Sequence, residues 1–226
     1  NPLSKKEIRQ AINYSFDRTD MINYLRKGVG EPALAGFVPS GLPSFDSDKV
    51  VGYDLDAEKA RELLQTANYQ GEEIVLQTNE SYKDIALYIA NQAEQVGLNI
   101  SIEVVQPSIL REWMAQGEVS FFRGSWIADY PDAENYLSLF YGKNGAPPNY
   151  TRFSNLTFDS LYEQSLQEDN DSLRFSLYHK MDSIVLDEAA VVPLYYDEIM
   201  RFTQKNISGC SPNAQNLLDL KWVKKK

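Results

Sequence analysis

Arg123, Trp126, Asp129 and Tyr130 fall close together in the stretch VSFFRGSWIADYPDAENYL, residues 119–137. Asp129, beside an indole and partly shielded from water, is suited to hold an ammonium group. A charge-assisted hydrogen bond of that kind is worth about 1.5–3 kcal/mol net when well formed. The competing use of this side chain is to cap the turn before Pro131. Arg123 precedes it by six residues, so strand alternation sets both on one face if the strand stays regular. Its guanidinium is then placed to close a structural salt bridge to Asp129. Trp126 and Tyr130 offer ring area, either for stacking on a ligand or for packing within the protein. Ile127 lies between them and completes the candidate binding set.

The same stretch holds Asp132 and Glu134, two carboxylates of the kind glycosidases pair as acid and base. No environment that would raise one of their pKa values is legible, and no other catalytic set accompanies them, so no catalytic residue is assigned and no enzyme is expected. His179 is the one histidine; it lies opposite the apolar face of its helix and reads as solvated. Cys210 is the one cysteine, which excludes an internal disulfide and a cysteine-based metal site. Neither a metal nor a cofactor is expected.

These side chains need a sheet to present them. Val119, Phe121 and Phe122 read as a buried strand that stops near Pro131, since proline turns the residue before it away from helical geometry. Upstream, Ile74-Val75-Leu76 is a short apolar strand. Ser81 then caps a helix with Ile85, Ala86, Ile89, Ala90, Ala93 and Val96 on one face, stopped at Gly97. Leu98, Ile100, Ile102 and Val104 alternate as a half-buried strand, and Pro107 to Met114 form a short helix ending near Gly117. The order β-α-β-α-β implies parallel strands with helices packed on the sheet, and an α/β fold. In such sheets ligands bind beyond the carboxyl ends of the strands, where Asp129 lies.

Elsewhere the pattern Ser4-x-x-Glu7 predicts a capping box before Ile8, Ala11 and Ile12. Thr19 or Asp20 caps a second helix that Gly28 ends, and Asp54 or Asp56 starts a third through Ala60, Leu63 and Leu64. Between them, prolines 32, 39 and 43 send residues 30–52 around the surface. Further helices are predicted over Phe158–Leu166 and from about Asp171 to Val185. Two strands are predicted over 190–196 and 199–203, the first at an edge because of Pro193. The tail has turn residues at Ser208-Gly209 and Ser211-Pro212-Asn213, and alternates from Leu218 to Val223.

The segment SWIADYPDAENYLSLFY resembles the motif of the extracellular solute-binding proteins of peptide ABC transporters, family 5. IRQAINYSFDRTDMINYLRKGVGEPA and NYTRFSNLTFDSLYEQS resemble the family's stretches before and after it, so the likeness runs from about Ser4 to about Tyr196. It implies one lobe of a periplasmic-binding-protein type II fold: residues 1–205 as the C-terminal, ligand-binding lobe of a longer two-lobed protein, and residues 206–226 as a tail that crosses back to the N-terminal lobe. It also implies capture of a peptide by Asp129, which in this family pairs with the peptide's α-amino group, and delivery to a membrane ABC permease by a protein that is monomeric in full-length form. Arg123 resembles an arginine of the oligopeptide-binding branch that helps bind the peptide's C-terminal carboxylate. That branch has a histidine where this chain carries Ser81 and Tyr82. The implied place is periplasmic or extracellular, with a lipid anchor left open. The alternatives are a sensor or interaction protein on the same scaffold, or a different solute such as a nickel chelate, opine, murein peptide or oligosaccharide.

Composition agrees with a globular binding domain. Hydrophobic residues at 43% and charged residues at 24% allow an ordinary core. A formal charge of −10 argues against nucleic acid as a partner, because phosphates require a cationic surface. No run of about 20 apolar residues occurs, so no spanning helix is expected.

Overall fold

A computed structural model describes residues 1–198, 201–210 and 218–226 of the chain. It opens with α1 (Lys6–Tyr14) and α2 (Arg18–Arg26), followed by β1 (Glu31–Pro32) and α3 (Ala57–Thr66). The central unit is β2 (Ile74–Thr78), α4 (Lys83–Glu94), β3 (Ile100–Val104) and α5 (Pro107–Gln116). After the aspartate motif come α6 (Glu134–Leu137), α7 (Leu156–Ser165) and α8 (Asp171–Asp187). Three short strands close the chain: β4 (Tyr195–Tyr196), β5 (Ile207–Ser208) and β6 (Lys224–Lys225).

β2 and β3 are parallel, in register from Ile74 opposite Ile100 to Thr78 opposite Val104. On the other edge of β2, the Gln77 N–H donates to Phe121 O and the Arg123 N–H donates to Gln77 O, each at 2.9 Å. β2 is therefore the middle strand, and the crossover from β2 to β3 lays α4 against both strands, as its apolar pattern requires. Along β2, Ile74, Leu76 and Thr78 are buried while Val75 and Gln77 are half-covered. The buried face meets Ile8 and Ile12 of α1, Ala60 and Leu64 of α3, and Ala93 of α4. A second core joins Leu137, Phe140, Phe158, Tyr162, Met181 and Val185, with edge-on rings at Phe140 and Phe158. That core lies under the motif.

Helix ends depart from several expectations. Ser4 belongs to a 3-10 turn, and α1 begins after Lys5 without a side-chain cap. Asp17 caps α2 by accepting the Asp20 N–H at 2.9 Å, in place of Thr19 or Asp20. Asn79 caps the 3-10 turn Glu80–Tyr82 by accepting the Ser81 N–H at 3.0 Å, and α4 itself starts after Tyr82 without a side-chain cap, so Ser81 caps neither. At α2 and at the turn before α4 the capping side chain precedes the expected one, and Asn or Asp serves as well as Ser or Thr there. Asp56 caps α3, and Gly97 and Gly117 hold positive φ at 99° and 79°, the left-handed stops expected of them.

The wrapping segment is tied down from α8. Asp182 accepts the N–H groups of Phe37 and Val38 at 2.8 and 3.2 Å. One turn earlier, His179 Nε2 meets Ser44 O at 2.7 Å, so this histidine is a half-buried tie to residues 30–52, not a solvated side chain. The segment folds over a helix face that the local pattern marks as outward. Of the strand expected over 190–196, only β4 forms, antiparallel to β1. Residues 199 and 200 of the next one lie outside the described residues, and 201–203 form no strand. The 211–213 turn also lies outside them. β5 pairs antiparallel with β6, and Leu220–Trp222 form a 3-10 turn where alternation suggested a strand.

Candidate binding site

The expected buried strand from Val119 is one residue of ladder: Phe122 bridges Gln77, and Phe121 and Phe122 are half-buried. Phe121 packs against the α1–α3 core. Apolar bulk here serves packing at a sheet edge, not a long ladder. Beyond Arg123 the backbone leaves the sheet, and residues 124–132 form no regular element before α6. The alternation that would align Arg123 with Asp129 therefore does not operate.

Arg123 turns its guanidinium over the Tyr82 ring, 3.3 Å from the centroid, and its Nη1 donates to Ser125 Oγ at 3.2 Å. Tyr82, just ahead of α4, thus holds the arginine by cation–π contact. Asp129 is exposed at the lip beyond the sheet. Its N–H donates to Asn135 Oδ1 at 3.2 Å, and its Oδ2 accepts from Asn135 Nδ2 at 3.4 Å. Trp126 is half-buried against the aromatic core and donates its indole N–H to Asn135 Oδ1 at 2.8 Å. Ile127 is 62% exposed and Tyr130 43% exposed, so the loop shows water an apolar side chain and a ring on either side of the carboxylate.

Asp132 and Glu134 are occupied by partners. Asp132 takes the Arg174 guanidinium at 3.3 Å and the Glu134 N–H at 2.9 Å. Glu134 accepts the hydroxyl of Tyr130 on one oxygen and that of Tyr162 on the other. Burial and the Glu134 carboxylate push the Tyr130 hydroxyl up to about 12, and the same two causes raise Tyr162 further. These phenols stay protonated as donors at neutral pH. Both carboxylates thus brace the loop. Among the described residues no group of His, Cys, Asp and Glu is arranged to hold a metal ion, and no helix is long and apolar enough to cross a membrane.

Asn135 is the residue sequence reasoning missed. It is 5% exposed, and it joins Trp126 to Asp129 from the first turn of α6. Its only sequence signal is a polar amide between residues that lead into the apolar run Leu137, Leu139, Phe140.

The parallel pair β2 and β3, with Phe122 bridged to the free edge of β2 and an exposed acidic loop beyond it, is an arrangement of α/β type. Residues 1–148 match the family described as bacterial extracellular solute-binding proteins, family 5 Middle, and the chain belongs to that family. It is 25% identical over 237 residues to the dipeptide-binding protein DppE of Bacillus subtilis, covering 99% of this chain and 43% of that protein. It is 26% identical over 221 residues to the oligopeptide-binding protein OppA of the same organism, covering 92% of this chain and 40% of that one. The fold is that of the Escherichia coli murein tripeptide binding protein MppA, with a TM-score of 0.85 at 19% identity, over 100% of this chain and 46% of that one. The periplasmic-binding-protein type II architecture expected from the motif is therefore present. The chain spans less than half the length of the curated relatives it matches.

Proposed function

We propose that the protein captures a short peptide, or another solute with a free ammonium group, outside the cytoplasm and passes it to a membrane ABC permease. Residues 1–205 act as one ligand-binding lobe, and residues 206–226 as a tail that crosses to a second lobe. Capture works by closure of two lobes on the ligand, without chemistry. The protein is periplasmic or extracellular and acts as a monomer. The relatives named for dipeptides and oligopeptides support this reading.

The observation that carries it is the exposed Asp129 carboxylate at the strand ends, flanked by Ile127 and Tyr130. A carboxylate so placed attracts an ammonium, while flanking apolar area accepts varied side chains without selecting one. Arg123, at the last rung of the ladder, is the candidate for the ligand's carboxylate. Trp126 contributes ring area from a half-buried position.

The test is calorimetry on the intact protein with a mixed library of short peptides, once with free amino ends and once N-acetylated. Binding of the free library should weaken at least tenfold in Asp129→Asn, about 1.4 kcal/mol. Acetylation should produce a similar loss in the unaltered protein. Equal affinity of the variant and the unaltered protein would remove Asp129 from the site.

A further inference from the structure

We infer that Asn135 is the positioning residue of the binding loop, setting the Asp129 carboxylate and the Trp126 indole; this rests on the reading of Asp129 given above. One buried amide makes three hydrogen bonds to two of the loop's candidate residues. Its Oδ1 accepts the Trp126 indole N–H at 2.8 Å and the Asp129 N–H at 3.2 Å, and its Nδ2 donates to Asp129 Oδ2 at 3.4 Å.

The sheet supplies nothing comparable. Its last hydrogen bond on this edge is Arg123 N–H to Gln77 O. The course of 124–132 is therefore set by side chains of α6 and its neighbours. Asn135 has a firm base for this: Leu137 and Phe140, on either side of the next turn, are 0% and 1% exposed. Glu134, held by Tyr130 and Tyr162, and Asp132, held by Arg174, brace the same platform.

The chemistry of the position selects an amide. It must accept from two N–H groups and donate to a carboxylate, all from one short, buried side chain. Aspartate supplies the acceptors but sets a second carboxylate against Asp129. Leucine supplies neither and strands the indole N–H and the Asp129 N–H. Glutamine has the groups but carries them one methylene too far. A residue of this kind touches no ligand and acts through those that do.

Two measurements on the intact protein test the assignment. In the ligand-free state, hydrogen exchange at the Trp126 indole N–H and the Asp129 N–H should quicken at least tenfold in Asn135→Ser, whose hydroxyl reaches only one partner. Exchange at Ile89 and Ala93 N–H, in the sheet-packed helix, should stay within twofold. With the free-amino peptide library, Asn135→Ser and Asn135→Leu should each weaken binding at least fivefold. In an Asp129→Asn background that loss should shrink below twofold, because the two residues act as one unit. Unchanged exchange in Asn135→Ser, or equal losses in both backgrounds, overturns the assignment. Quickened exchange together with normal peptide affinity in Asp129→Asn overturns the ammonium reading alone and upholds Asn135 as the residue that fixes the loop. Should Asn135→Leu not fold, Asn135→Ser carries both measurements.

Discussion

Asp182 stands where a side chain on Gly36 would have to go: a Cβ on that glycine would lie 1.8 Å from Asp182 Oδ2 and 2.5 Å from its Cγ. The carboxylate is buried on α8 and accepts the next two backbone N–H groups, Phe37 and Val38. The Tyr196 hydroxyl donates to Gly36 O at 2.7 Å, so the glycine is held from two sides. Residues 30–52, irregular in sequence, are locked at this point to the helix beneath.

Gly36→Ala should therefore destabilise the protein by about 3 kcal/mol, at the upper end of the usual overpacking cost. Asp182 cannot retreat without giving up the Phe37 and Val38 N–H groups. Urea unfolding should show a lower midpoint with an unchanged slope. By contrast Gly41→Ala, where the added atom meets nothing, should change stability by less than about 0.5 kcal/mol.

Burial pushes the Asp182 carboxyl up to about 6 from 3.8, against the pull of the two N–H donors. The folded state then holds a proton that the unfolded chain has released. Asp182's contribution to stability is full below about pH 4 and is lost as pH rises through about 6. Tyr196, Tyr178 and His179 stand around the same segment and remain in any variant. The stability of Asp182→Asn relative to the unaltered protein should improve by on the order of 3 kcal/mol from pH 4 to pH 7. Urea titrations at fixed pH steps would measure this. A constant difference across the range would show that Asp182 keeps its charge.

Arg18 is fully buried, and burial lowers its guanidinium to about 10, so it remains charged at neutral pH. It donates to Pro193 O at 2.7 Å, Asn13 O at 2.9 Å and Asn13 Oδ1 at 3.0 Å, and lies over the Phe16 ring. Arg18→Met keeps the stem but leaves three buried acceptors without donors, each costing about 1–3 kcal/mol. A loss of at least about 3 kcal/mol is expected in urea unfolding. Arg18→Lys should fall between, since one ammonium cannot span the fork.

The crossover unit was legible because apolar alternation and helical spacing report directly which face is buried. Ile74, Leu76, Ile85, Ala86 and Ala93 lie where those periods put them, and Gly97 and Gly117 stop their helices. Caps were less legible. Ser4, Thr19 and Ser81 are good capping residues by type, yet only backbone geometry decides which of several neighbours turns inward. Val119–Phe122 misled for another reason, since a run of apolar residues looks alike whether it pairs or packs. His179 and Asn135 were invisible locally. Each acquires its partners only when a distant or irregular segment folds over it, residue 44 in one case and the 126–130 loop in the other.

The segment past Arg123 borrows no rungs from its neighbours, and this has a consequence for how such a protein diversifies. Its outline is written by a few side chains that can be exchanged one at a time, while the crossover units below keep their own hydrogen bonds. Substitutions can reshape this surface without relearning how to fold.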